Sequence, residues 1–210
     1  TSVSRGLGDV YKRQLVGSAP DYSTCSWTYE NSTGEAASFS AGGSLDLSES
    51  YASPPTTGTY PYAVMLISKD FNIKGKFGPV GGKTYYSTTT FQTSSTNSDD
   101  YATQVAPLNT FGGGSECVAY TEGEAVTDGT ISAYLINSSG ILLDSDSSLS
   151  ECSGQEKLLG VMKMSSDLTI SDATAGLKMT FTVTNNGMSV VSNRAGTDIF
   201  VDSGLSLIHI

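Results

Sequence analysis

The sequence predicts an all-β fold, an antiparallel β-sandwich of short strands joined by Ser/Thr/Gly-rich loops. Three observations carry this prediction. The stretch 59–77, TYPYAVMLISKDFNIKGKF, begins with an apolar run from Tyr60 to Ile67, rich in β-formers and too short for a membrane span. Its second half alternates: Phe71, Ile73 and Phe77 fall on one side, Asn72, Lys74 and Lys76 on the other, the period-two signature of a strand with one wet face. Turn residues also recur between short apolar runs along the chain, and no long 3.6-residue pattern appears.

Taken in order, residues 21–29 (DYSTCSWTY) alternate so that Cys25, Trp27 and Tyr29 share one face, as in an edge or first strand with that face inward. Asn31-Ser-Thr-Gly34 reads as a turn, with short strands at 36–39 and 44–47 around Gly42-Gly43. Residues 53–58, SPPTTG, form a stiff loop, because proline cannot donate to a β-ladder. The 59–77 stretch follows and reads as a buried strand paired in a hairpin with a half-buried one. Residues 78–82 turn the chain, 83–92 form a strand, 93–100 a polar loop, and 101–110 carry little signal. The Gly112-Gly-Gly114 run is where the domain would divide into two sub-blocks.

Beyond it, 117–121, 129–137 and 141–143 are strands, the last two joined by Ser139-Gly140 as a hairpin. Residues 144–153 are a Ser/Asp loop. The flanks of the apolar run 157–164 favour a strand over a short helix, and 168–170 is a further short strand. Leu177, Met179, Phe181 and Val183 alternate with Lys178, Thr180, Thr182 and Thr184, and Asn185-Asn-Gly187 is a strong hairpin signal, since both residue types accept positive φ. Strands at 188–191 and 198–202 complete the sheet. The expected core is Tyr60, Val64, Leu66, Phe71, Ile73, Phe77, Ile131, Leu135, Val161, Met179, Phe181, Val183 and Phe200.

Within this run, Leu45-Asp46-Leu47, then Pro54-Pro55, then Gly58-Thr59-Tyr60 before a long apolar strand resembles secreted bacterial β-sandwich modules of the transthyretin-like or carboxypeptidase-regulatory-like kind, found in surface lipoproteins. The resemblance spans residues 39–77. It implies a fold and a surface location, and no catalytic residue.

The two ends carry a different signal. The closing hexapeptide Leu205-Ser-Leu-Ile-His-Ile210 can be encoded by CTG TCT CTT ATA CAC ATC, whose reverse complement translates as DVYKRQ, the residues from Asp9 to Gln14. The pair resembles the translated transposon-end adapter of sequencing libraries, and the adapter's upstream bases also account for Ser4-Arg-Gly-Leu-Gly8. Residues 1–14 and 205–210 are therefore expected to be adapter-derived tails lying outside the core or on an exposed edge. Residues 15–204 are expected to be one domain cut from a longer gene, open at both ends.

The chain has 11 Lys+Arg against 21 Asp+Glu, a net charge of −10. Arg5, Lys12, Arg13 and Asp9 sit in the first fourteen residues, which leaves eight basic and twenty acidic residues in the insert, net −12. With no basic stripe, nucleic acid is excluded as a partner, and an anionic membrane surface is disfavoured. No run of about twenty apolar residues exists to cross a bilayer as a helix. Low charge, abundant Ser, Thr, Gly and Tyr and few Lys point to the extracellular space or cell surface, the periplasmic side included.

The only histidine is His209, in the adapter-like tail, so the insert offers no imidazole base for a Ser-His-Asp triad or Cys-His dyad and no histidine for a metal site. Glycoside hydrolysis needs only two carboxyl groups, and Glu122/Glu124 or Asp144/Asp146 could supply them. Asp144-Ser-Asp146-Ser-Ser148 also begins like an EF-hand calcium loop, but Leu149 stands where the turn glycine belongs and Gln155 where the closing glutamate belongs. Asp144 and Asp146 are thus a calcium candidate outside the EF-hand type. Trp27 with the tyrosines, densest at Tyr60/Tyr62 and Tyr85/Tyr86, could form a sugar-stacking platform or be ordinary half-buried sheet residues. Asn31-Ser-Thr33 and Asn137-Ser-Ser139 match the glycosylation sequon, as chance allows in a Ser-rich chain.

Of the three cysteines, Cys117 and Cys152 bracket a hairpin-containing block and are expected to form a disulfide; Cys25 either pairs beyond the fragment or stays a buried thiol. The expectation is a non-catalytic structural or interaction module without a cofactor, engaging a cell-surface protein or glycan. The alternatives are a carbohydrate-binding module and a fragment of a carboxylate-dependent extracellular hydrolase.

Overall fold

Apolar side chains fill both alternating sets of residues 60–67, so a strand built from them needs cover on both faces and a hydrogen-bonded neighbour on each edge. The computed structural model gives it both. It describes residues 3–8, 21–23, 25–29, 56–112, 116–174, 189–192 and 199–202, with Ser26, Tyr29 and the strands at 3–8, 189–192 and 199–202 described by backbone alone. The chain is all-β and antiparallel, of sandwich type, and its one helical element among these residues is a single 3-10 turn at Ser98–Asp100.

The described residues fall into two compact units. The first takes the chain up to Lys69 and again from Asn109; the second takes 70–108 and the two strands after 188. The first unit is a six-stranded sheet. Its strands are β1 (Val3–Gly8), β2 (Ser26–Tyr29), β3 (Gly58–Ser68), β9 (Tyr120–Val126), β10 (Gly129–Ile136) and β11 (Lys157–Ile170), in the order β2-β1-β3-β11-β10-β9. In the second unit β4 (Asp70–Ile73) pairs β8 (Gln104–Pro107), β5 (Lys76–Val80), β6 (Lys83–Ser87) and β7 (Ser94–Ser95) form a three-stranded sheet, and β12 (Ser189–Ser192) pairs β13 (Ile199–Asp202).

At the centre of the first unit β3 and β11 run antiparallel, with Val64 opposite Val161 and Leu66 opposite Leu159, and β10 continues the row with Tyr134 opposite Leu159. Val64, Tyr134, Ile136, Leu159 and Val161 are buried on one face; Met65, Ile67, Ile131, Ala133, Leu135 and Leu158 are buried on the other. Leu168-Thr-Ile170 belongs to the same strand as 157–164, across an irregularity between Lys163 and Leu168. Gly129 opens β10, and a Cβ there would clash with the carbonyl oxygen of Lys163, so only glycine lets β10 and β11 approach at that point.

Several expectations are corrected. The apolar run and the alternating run of 59–77 are not a hairpin: β3 pairs β1 and β11, while β4 pairs β8 in the other unit. A strand apolar on both sides recruits two partners, and Asp70, where the pattern breaks, lies at the change of unit. Phe77 is exposed, because β5 is the outer strand of its sheet and none of its residues is covered. Tyr60, Leu66, Phe71 and Ile73 are half-buried. The strand expected over 83–92 ends at Ser87. Residues 101–110 contain β8, and β9 reaches Val126 and turns through Thr127-Asp128 into β10, whereas 141–143 contributes only a bridge between Ile136 and Leu142. The amino-terminal segment is not on an outer edge: β1 is flanked by β2 and β3. The readings at 31–55 and 175–188, the side chains of Met179, Phe181, Val183 and Phe200, and the tail 205–210 lie outside the described residues.

Candidate functional site

Cross-strand neighbours on one face of the first unit's sheet gather its aromatic residues. Tyr134 is buried, and its ring stacks on Tyr120, the residue opposite it, at 6.3 Å. Tyr22 meets Trp27 edge to face at 6.1 Å. Tyr22, Trp27, Tyr62 and Tyr120 all pack, half-buried, against the cluster of Cys25, Val64, Tyr134, Ile136, Leu159 and Val161. Trp27 lies opposite Gly6 across the β1–β2 ladder. Cys25 is buried and Trp27 half-buried on the face expected to point inward, but Thr28, on the face expected to point outward, is buried as well. Of the two dense tyrosine spots, Tyr62 joins this face, and the Tyr60 hydroxyl donates to the carbonyl of Thr56 at 2.8 Å. Tyr85 and Tyr86 belong to the second unit.

The carboxylates are occupied locally. Glu122 accepts the Tyr134 hydroxyl at 2.9 Å, and Glu124 accepts the Thr121 hydroxyl at 3.3 Å. Asp146 accepts the backbone amide of Ser148 at 2.8 Å and its hydroxyl at 2.6 Å, which holds the carboxyl below its ordinary range. Asp144 is exposed on the same loop. Among the described residues no three or more His, Cys, Asp or Glu side chains gather as a metal site would require, so Asp144 and Asp146 are not brought together with further ligands.

Cys117 and Cys152 are joined by a disulfide, with Cα atoms 4.7 Å apart. Cys25 is a buried thiol; burial and then the nearby Asp21 carboxylate push it up to about 11.

Around the disulfide lies a polar network with no signature in the sequence. Asn109 accepts from the Gln155 side-chain amide at 2.8 Å and from Lys69 Nζ at 3.4 Å, and donates to Glu151 at 3.2 Å. Its carbonyl accepts the Cys152 amide at 3.0 Å. Asp146 and Cys117 exchange backbone bonds at 3.0 and 2.9 Å. The loop 137–156 is therefore pinned covalently, by backbone and by side chains at once. In the second unit Ser87, fully buried, donates to the Ala102 carbonyl at 2.7 Å and accepts the Gly75 amide at 3.1 Å, tying three segments together. Gln104 in β8 is fully buried with neither amide atom partnered. Lys74 Nζ stands 4.4 Å over the Tyr101 ring, which also meets Tyr86 at 5.5 Å. A buried Ser or Gln, or a half-buried Asn, gives no periodic signal, so sequence reading passes over it.

No protein-family model matches this chain, and no curated protein or solved structure matches it.

Proposed function

We propose that this chain is a non-catalytic structural or interaction module of a secreted or cell-surface protein. The observation that carries the reading is the pinned loop: a disulfide between Cys117 and Cys152 holds 137–156 against a sheet buried on both faces. Disulfides persist in oxidising compartments, and a rigid sheet with a fixed surface loop suits a scaffold or docking platform. The local commitments of Glu122, Glu124 and Asp146 support a structural use of the carboxylates over a catalytic pair. Exported to an oxidising compartment, the protein is expected to accumulate with this disulfide formed and to turn over nothing in a panel of glycoside, ester and peptide substrates. Turnover that Glu122→Gln or Asp144→Asn abolishes would refute the reading.

A second reading, a carbohydrate-binding module, is favoured by one observation: Tyr22, Trp27, Tyr62 and Tyr120 stand partly exposed around one core cluster. Trp27 is the only tryptophan, so its fluorescence reports directly on that face. A glycan that quenches or shifts it, with the effect lost in Tyr120→Ala, would select this alternative.

A further inference from the structure

The strand β5 has no covered residue, yet it carries Phe77 at 48 % exposure and Val80 at 42 %. Residues 71–98 contain Lys74, Lys76 and Lys83 and no acid, so this segment is +3 in a chain of −10, leaving −13 on the remainder. Lys83 is exposed opposite Val80 across the β5–β6 ladder, and Lys76, which precedes Phe77 on β5, is exposed as well. The hairpin is firmly based. Gly81 and Gly82, at φ +57° and +76°, make its tight turn, while Ser87 and the ring of Tyr101 anchor its foot. Pro79 lacks an N–H on this outer strand, which disfavours docking by strand addition and leaves the side chains as the contact. An exposed Phe and Val on an edge hairpin whose only charges are positive have the make-up of an interaction surface.

The complementary chemistry is present in the first unit. The loop 141–156 carries Asp144, Asp146, Glu151 and Glu156 and no base, together with Ile141 at 62 % and Leu149 at 45 % exposure. The disulfide, the Cys117–Asp146 bridge and the Asn109 network hold this loop in place before any partner arrives, which lowers the ordering cost of binding. We infer that the β5–β6 hairpin docks on the 141–156 loop of a second copy of this chain, with Phe77 and Val80 meeting Ile141 and Leu149 and with Lys76 and Lys83 drawn to the loop's Asp and Glu residues. The inference rests on the reading of the chain as an interaction module, and names its partner. An anionic bilayer offers the hairpin charge but repels the acidic remainder, whereas a second copy supplies both acid and apolar contact.

The test is sedimentation velocity of the full chain over about 1–100 µM at about 0.05 M and about 0.5 M salt. Concentration-dependent association is expected at low salt, weakened roughly tenfold or more at high salt. Lys76→Glu/Lys83→Glu and, separately, Phe77→Ser should sediment as monomers while melting like the parent chain. Asp144→Lys/Glu156→Lys should also be monomeric, and mixing it with Lys76→Glu/Lys83→Glu should restore association. A monomer at every concentration, or association indifferent to all these variants, overturns the inference. So does binding of phosphatidylglycerol vesicles through Lys76 and Lys83 without self-association, which would make lipid the occupant. None of these results bears on substrate turnover, the separate measurement by which the module reading fails.

Discussion

Cys25 shows how one residue can be chemically silenced by its surroundings. It lies among Val64, Ile136 and Trp27, and burial with the nearby Asp21 raises its thiol to about 11. The native protein should not react with a thiol reagent at neutral pH, and should expose one reactive thiol after denaturation, as a colorimetric thiol assay would register. The sign of the pH effect follows. The folded thiol resists ionisation more than the unfolded one, so stability is intact below the unfolded thiol's range and falls as pH rises toward about 11. Tyr22 is raised in the same direction by burial, so the Cys25→Ala variant is the control: its melting temperature should fall less steeply across that alkaline window. At this scale the sequence was partly legible. Cys117 and Cys152 bracket a block and do pair, but the alternation that put Phe77 inside cannot tell that every residue of β5 is left exposed. Asn109, Ser87 and Gln104 are polar residues in polar-looking stretches, and only three-dimensional neighbours mark them out.

Among the elements, the β3–β11 pair determines the first unit. Leu159 has no exposed surface and faces Leu66 on one side and Tyr134 on the other. Leu159→Ala should cost about 2–5 kcal/mol, through lost burial and the cavity left behind. A denaturation midpoint unchanged from the parent would show that the centre of the sheet lies elsewhere. The strands themselves were readable from apolar runs and turn residues, including 157–164 and 129–137. Their partners were not. Pairing between β3 and β11 joins residues about a hundred positions apart, and no local pattern encodes such a contact. A nearby alternating run therefore looked like the natural hairpin partner of β3, although the actual neighbours come from both ends of the unit. The outer strand β9 carries Glu122 and Glu124 and a register shift against β10, features that discourage stray pairing along an edge.

For the whole molecule, the adapter-like ends make a direct test. Ser4 to Gly8 resembles translated adapter, and the same residues stand in β1 between β2 and β3. If descent never fitted them to this sheet, β2 can close on β3 without them, and residues 15–204 should melt within a few degrees of the full chain. A larger loss, or failure to fold, would make β1 an integral strand. All-β organisation was legible at this scale because no helical period exists to compete with period two. The division into two units was legible at one boundary only: the first unit resumes at Asn109, just ahead of the glycine run at 112–114 where a sub-block boundary was expected, while its interruption after Lys69 has no such marker.

The disulfide has a consequence when the chain is pulled. Cys117 and Cys152 are 35 positions apart, so the bond removes about 120 Å of chain from the length that tension can draw out, at roughly 3.4 Å per residue. β10, whose residues 129–136 lie wholly within the closed loop, is shielded from the load, while β3 and β11 lie outside it and take the force. In single-molecule stretching the oxidised protein should release that much less contour length than the reduced one. Reduction should also lower equilibrium stability by about 3–4 kcal/mol, the loop-closure entropy of a span this long. Equal contour lengths in the two states would show that the bond does not form in solution. A shortfall of this size would mean that the chain, placed under tension, limits its own extension.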